Sequence, residues 1–479
     1  MVYVKKFTII IITSILISAM LLSPHTWAGA SVDFTDLEAR IALLIEVDTG
    51  QVLYEYNGNR RHPADALTVV MTMLLAASAI ESGQASVDEL IEMTESAWSD
   101  LGPSDSTRSI LPGEEMTLRD LMYSGFVGGM REACNLIAEH ISGSTEAFVE
   151  LMNERAVELG CEGTSFINAH GRYNTLQYTT AQDLFLIYRE AMSYPVFAEI
   201  SGVFSHTIEG TNRSEPRRLN GSNSLLNSNG KYYFRHCTSG VASATYEGGH
   251  SFIGFAEADD LSLIVVVLGS DVIMFEDDSA LMRNLSESGR LFEWGFTNFS
   301  WREVLSTSNP VARAPVKHGA GADFVNLRPE SSIRQLLRND VPLEEFDKDI
   351  IIYSVERGLD IVAPVSAGQV LGEITLTRNG EKYDTILLVA NTSIELHRIE
   401  FIRMQIADAL ASSVARAIIS VLFMVIMAYS ALVIRYNYIR RKRLKKIAEA
   451  KKKLTQERQD GVQITDFNDQ DTRVRGRRY

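Results

Sequence analysis

The chain has 479 residues, 46% hydrophobic and 22% charged, an ordinary globular composition that allows a sizeable core and two or more domains. Its formal charge of −15 argues against nucleic acid as the main partner. Cys134, Cys161 and Cys237 cannot all pair with one another, so a dense disulfide framework is excluded and the three read as mostly buried thiols.

Residues 1–30 read as a secretory signal peptide: Lys5 and Lys6, the apolar stretch Phe7 to Leu22, then the small-x-small site Ala28-Gly29-Ala30. An uncleaved anchor is the alternative, and the apolar run is short for a span. From Arg40 to Asn57, "RIALLIEVDTGQVLYEYN" predicts two strands around the turn Asp48-Thr49-Gly50. The apolar run Leu67 to Ile80 predicts a helix stopped at Gly83. "MTLRDLMYSGFVGGMREACNLIAEHIS" predicts helix, loop, helix with Thr117 as N-cap, and "TEAFVELMNERAVELG" a further helix closed by Gly160. "LSLIVVVLGS", Leu261 to Ser270, suits a buried central strand, and "DDSALMRNLSESGRLFEWGFTNF" a last helix. Together these predict one α/β (α+β) domain over 31–305.

Residues 306–315 read as a linker, and 316–396 as a small all-β domain of short strands with a hairpin turn at Asn379-Gly380. An amphipathic segment, 397–416, leads into Ala417 to Ile434, 18 residues without a charge. The tail that follows, 435–479, holds 15 Lys/Arg against 6 Asp/Glu, which marks a cytoplasmic side. Its end, from Thr455, is polar and expected to be disordered. The expectation is a single-pass protein of the cell membrane, with its body outside and its tail in the cytoplasm.

"ARIALLIEVDTGQVLYEYNGNRRHPADALTVVMT" resembles the opening of the low-molecular-weight penicillin-binding proteins, the serine-type D-alanyl-D-alanine carboxypeptidases. The resemblance continues through "AEHISGSTEAFVELMNERAVELGCEGTSFINAHG", "LIVVVLGS" and, past Pro315, "IVAPVSAGQVLGEITL". It implies a penicillin-binding, β-lactamase/transpeptidase-like domain, a C-terminal β domain, a terminal membrane anchor and a setting in the bacterial cell wall.

The family's chemistry uses three motifs. In S-x-x-K the serine is the nucleophile and the lysine its base. Aligned without gaps, these positions fall on Ala66 and Val69, with Pro63, Thr68, Met71 and Thr72 fixing the register. S-x-N falls on Gly129-Met130-Arg131, and K-T-G, which holds the substrate carboxylate, on Thr238-Ser239-Gly240. The one S-x-x-K elsewhere, Ser228 to Lys231, sits in a turn signal far from the helix start.

Other side chains near these positions offer little replacement chemistry. His236-Cys237 are adjacent in a strand and should face opposite ways, so Cys237 reads as a buried thiol beside a solvated imidazole. A pairing of Cys237 with His62 has nothing in the spacing to require it. Asp65 and Arg131 would both face the cleft, as would Cys237, and an Asp65–Arg131 ion pair would fill the site rather than use it. Glu132 reads as a helix-start carboxylate. No metal-ligand spacing is present, and no metal or cofactor is expected.

The reading is therefore a membrane-anchored pseudoenzyme with no catalytic residue, binding peptidoglycan stem peptides or docking a wall-synthesis or division protein. The opposed reading is an active serine-type carboxypeptidase trimming peptidoglycan with a non-standard site. A third is a structural tether whose β domain spaces the cleft from the membrane.

Overall fold

The computed structural model describes residues 37–98, 101–102, 109–274 and 280–459. The signal peptide expected at 1–30 and the polar end from Asp460 lie outside the described residues. The chain divides into two compact units: residues up to Val304 with Ile333–Glu345, and Leu305–Ser332 with Phe346 onward.

The first unit is built on five strands: β1 Ile41–Glu46, β2 Val52–Tyr56, β3 Cys237–Thr245, β4 Gly249–Ala258 and β5 Leu261–Ser270. Their order is β2-β1-β5-β4-β3, with antiparallel neighbours throughout. β5 lies at the centre, and every residue in it except Ser262 is buried. Its unbroken β-branched run follows from that position, because both faces are covered. Ile264 and Val266 join Leu43 in the core on one face, and Val265 and Val267 join Leu44 on the other.

The first face is covered by helices α1 Val69–Glu81, α2 Leu118–Phe126, α3 Arg131–Ser142, α4 Thr145–Glu158, α5 Ala181–Met192 and α6 Pro195–Ser201. Side-chain oxygens start three of them: Thr117 accepts from Asp120 N (3.1 Å), Ser144 from Ala147 N (3.1 Å) and Thr180 from Asp183 N (3.0 Å). Each bond satisfies a helix N–H that would otherwise lack a partner. The second face is covered by α7, Arg283–Asn298. It starts later than its sequence suggests, because Ala280–Met282 is spent on a short ladder with Val272–Met274.

Strands β6 Phe299–Leu305, β7 Ala312–Lys317, β8 Phe324–Pro329, β9 Ile333–Arg338, β10 Asp347–Ile352, β11 Ile361–Val362, β12 Val370–Arg378 and β13 Glu381–Ala390 follow. Two expectations change here. The linker 306–315 is part strand, since Ala312–Pro315 pairs with Phe324–Leu327. β9, expected in the β domain, instead pairs with β6 and belongs to the first unit. Leu336 drives this by entering the α7-side core, and Arg334 meets Asp260 in an ion pair.

The second unit holds a six-stranded sheet, β10-β12-β13-β8-β7-β11, and a five-residue helix α8, Tyr353–Arg357. Asn379 and Gly380 turn the β12–β13 hairpin at φ 53° and 82°, the left-handed pair such a turn demands. Helix α9, Arg398–Ala411, exposes an apolar stripe of Ile399, Ile402, Ile406 and Leu410. α10, Ser413–Gln459, contains the one helical stretch among the described residues that is long and apolar enough to cross a membrane. The tail expected as a separate segment from Arg435 is helical without a break as far as Gln459.

Two glycines of α7 give opposite expectations for one substitution. A Cβ on Gly289 meets nothing within 4 Å, whereas on Gly295 it would lie 2.7 Å from Leu263 Cδ1 and 2.9 Å from Leu44 Cδ2. Gly289→Ala should stabilise by up to about 1 kcal/mol through helix propensity. Gly295→Ala should destabilise by about 1–3 kcal/mol by lifting the helix off β1 and β5. Thermal denaturation of both variants checks this, at roughly 2–4 °C per kcal/mol; shifts of the same sign would contradict it.

Candidate functional site

After β2 the chain passes through Arg60–Pro63 into a 3₁₀ turn, Asp65–Thr68, which runs directly into α1. Ala66 lies in that turn, half-buried, and Val69 opens α1, buried among apolar neighbours. Two hydroxyls tie this start to the segment beside it. Thr68 Oγ1 accepts from Gln177 Nε2 at 3.0 Å, and Thr72 Oγ1 donates to the Ala169 carbonyl at 2.5 Å. Gly171 passes so close that a Cβ on it would lie 2.3 Å from Asp65 O, and its φ of 73° is one that side chains rarely adopt.

Asp65 is buried and points at the β3–β4 turn. Its Oδ2 accepts from Thr245 Oγ1 at 2.5 Å, while Oδ1 has no hydrogen-bond partner. A Cβ on Gly248 would lie 1.8 Å from Oδ2, so this turn can approach only as glycine. His62 closes the same junction by donating from Nε2 to the Gly248 carbonyl at 2.8 Å. Burial pushes the Asp65 carboxyl above the usual carboxylate range, against the Thr245 bond; the Glu247 charge adds to the rise and Arg131 opposes it. Burial likewise pushes the His62 imidazole below its ordinary value, with the Gly248 carbonyl opposing. Asp65 is thus committed to the hairpin turn, and the influence of Arg131 on it is the weakest of the four.

Gly129, exposed at φ 62°, precedes α3, and Met130 N donates to Ser124 O at 2.9 Å. Arg131 is the first residue of that helix and is half-buried. Glu132 beside it is fully buried, and its Oε1 accepts from Ser109 N (2.7 Å) and Ile110 N (3.3 Å). That is structural work at a helix start.

The third segment holds the largest surprise. β3 pairs with β4 through Ser239 opposite Phe255 and Cys237 opposite Ala256, so Thr238 is an extra residue in a bulge. The bulge sends its two neighbours to opposite faces. Ser239 turns toward the helices, where its Oγ is 2.5 Å from Tyr188 OH and 2.5 Å from Ser201 Oγ. Cys237, expected to face the cleft, is corrected to the α7-side core, with Leu225, Phe252 and Phe292. Its thiol lies 3.7 Å from Asn223 Nδ2 and 3.5 Å from Ser239 O, and burial pushes it up to about 11. The His236 ring sits among Phe234 and Phe296 and meets Arg235 Nε, and His62 is held by Gly248. Cys237 therefore has no histidine as its base among these. Cys134 and Cys161 are raised to about 12, also chiefly by burial.

Thr238 itself is exposed, and Gly240 fits beneath Asn223, whose Nδ2 would lie 2.8 Å from a Cβ there. On the same strand, Ala242 N donates to Ser222 Oγ at 3.0 Å. The structure thus joins the helix start to β3 through Asp65 and Thr245, with Arg131 close enough to act on Asp65. No group of three or more His, Cys, Asp or Glu that could hold a metal occurs among the described residues. Sequence reasoning missed the junction of Thr245 and Gly248 and the Tyr188–Ser201 partners of Ser239. The Gly248-Gly249 doublet was the one available signal, and it marks a turn without saying what the turn meets.

The model of the D-alanyl-D-alanine carboxypeptidase family matches residues 28–272. The chain is 28% identical over 378 residues to D-alanyl-D-alanine carboxypeptidase DacF of Bacillus subtilis, covering 78% of this chain and 91% of that one. It is 25% identical over 393 residues to DacC of Escherichia coli, covering 78% and 89%. Among solved structures, penicillin-binding protein 5 of Haemophilus influenzae matches with a TM-score of 0.55 at 22% identity, covering 76% of this chain and 100% of that one. Penicillin-binding protein 6B of Escherichia coli matches with a TM-score of 0.56 at 22% identity, covering 76% and 99%. These two likenesses establish the fold, and the family match over more than half of the chain establishes the lineage. The chain belongs to the D-alanyl-D-alanine carboxypeptidase family of penicillin-binding proteins.

Proposed function

We propose that this chain is a non-hydrolytic member of its family. It is held by one C-terminal span with its body outside and its basic end inside, and it binds peptidoglycan stem peptides or a wall-synthesis or division protein. The observation that carries the reading is Ala66 and Val69 at the helix start, where an acyl-transfer enzyme of this kind needs a nucleophile and its base. Loss of such a nucleophile alone typically costs about 10⁶ in rate. The surroundings support the same reading: the Ser239 hydroxyl is engaged by Tyr188 and Ser201, and Thr238 carries no cation for a substrate carboxylate. The opposed reading, an active carboxypeptidase with a non-standard site, is an outcome of the first test below.

The orientation rests on charge and hydropathy. A signal peptide at 1–30 exports the body, Ala417 to Ile434 then spans, and the basic run after it stays inside.

Labelling with a fluorescent β-lactam tests the chemistry, because these compounds acylate the serine of S-x-x-K. No covalent adduct should form on the wild-type chain, and a stoichiometric adduct would sink the proposal. Restoring Ala66→Ser with Val69→Lys should not restore D-alanine release from a stem-peptide mimic. Arg131 still occupies the relay position, and Thr238 still lacks the cation. Turnover within about tenfold of a working relative, out of the roughly 10⁶ at stake, would show the rest of the site to be intact. For the topology, protease shaving of protoplasts should digest an epitope tag near Ser308 and spare one placed after Tyr479. The reverse pattern would overturn the localisation.

A further inference from the structure

Helix α10 does not end where its apolar part ends. The uncharged stretch stops at Ile434, yet the helix continues to Gln459. From Arg435 to Lys452 it carries nine Lys/Arg against a single acidic residue, Glu449, and every side chain in that stretch is exposed. At about 1.5 Å per residue, Lys452 stands roughly 27 Å beyond the end of the span.

That distance bears on what these cations can reach. The headgroup layer is about 5–7 Å deep, and surface charges are screened over about 8 Å at physiological salt. Arg435 and its neighbours can meet lipid phosphates. Lys451 and Lys452 stand roughly 20 Å above them, more than two screening lengths away. The charges also surround the helix. At about 100° per residue, no arc wider than roughly 80° lacks a cation. A helix that lies on a bilayer keeps its cations to one face, and an acidic patch on a folded protein would engage one side of this one. The major groove of a DNA duplex admits an α-helix between two phosphate backbones, so cations on more than one side of it can be met together. Duplex nucleic acid carries one charge per about 1.7 Å.

We propose that the basic part of α10 binds the phosphate backbone of nucleic acid, DNA or RNA, without sequence preference. This rests on the orientation given above, which places the segment in the cytoplasm. The overall charge of −15 argues against nucleic acid for the acidic body, and it conceals a segment of opposite sign.

The test uses the full chain in nanodiscs of zwitterionic phosphatidylcholine, titrated against labelled DNA and RNA duplexes of about 20 base pairs. Binding at roughly 10 µM or tighter is expected near 150 mM salt, with log K against log salt falling at a slope of about −4 to −6. Equal affinity for the two duplexes identifies the shared backbone as the target, and a preference of more than about tenfold for one assigns the source. Lys451→Glu with Lys452→Glu should weaken binding at least about tenfold through the same electrostatic term. Ala448→Pro, which keeps every charge and breaks the helix, should weaken it several-fold. Absence of binding at low salt would overturn the proposal, as would wild-type affinity in the double reversal or in the proline variant. Protection of the distal lysines from acetylation by phosphatidylglycerol nanodiscs, with loss of duplex binding, would make the membrane the partner instead. A failure of the orientation alone is separable: shaving would then find the tail outside while duplex binding in nanodiscs persists.

Discussion

β5 has no solvent face, and the candidate site is positioned from that constraint. A strand buried on both sides must sit between two partners and two layers, and β5 pairs with β1 on one edge and β4 on the other. A slip of one residue would exchange Ile264, Val266 and Leu268 with Val265 and Val267 and disturb both cores at once. β4 in turn fixes β3, and the chain leaving the β1–β2 hairpin reaches the start of α1. The helix start and the edge strand then meet across Asp65, Thr245 and Gly248.

Around that frame the side chains of the candidate site are tied into the scaffold. Val69 packs into the core at the entry to α1. A carboxylate is held against a glycine turn, and the hydroxyl of Ser239 is drawn under the sheet into a bond with Tyr188. Each of these side chains is engaged by its neighbours in the fold. These contacts hold the helix start, the β3–β4 turn and the edge strand in one arrangement.

Much of this was legible in the sequence, for identifiable reasons. Thr117 caps α2 as its spacing suggested, the run from Leu261 to Ser270 is the central strand, and Asn379-Gly380 turns a hairpin. All three are signals carried by a few adjacent residues. The bulge at Thr238 was not legible, because one extra residue leaves no periodic trace, and it alone decides that Cys237 and Ser239 part company. β9 escaped for a different cause. Its alternation fits any half-buried strand, and what assigns it to β6 is the pocket that receives Leu336. The junction at Asp65 joins residues 180 positions apart, a separation over which local pattern says nothing.

The same junction has a consequence for behaviour in acid. His62 and Asp65 clasp one turn, yet burial moves them in opposite directions, the imidazole down and the carboxyl up. As pH falls below the ordinary imidazole value, the unfolded chain takes up a proton that folded His62 resists, and stability is lost. Between the raised value of Asp65 and the ordinary carboxylate range, the folded carboxyl is the first to be neutralised, and this group adds stability as pH falls. A clasp built from two groups of like displacement would loosen or tighten steadily with acid. Here the two groups oppose each other in their response to acid, because the imidazole is displaced downward and the carboxyl upward.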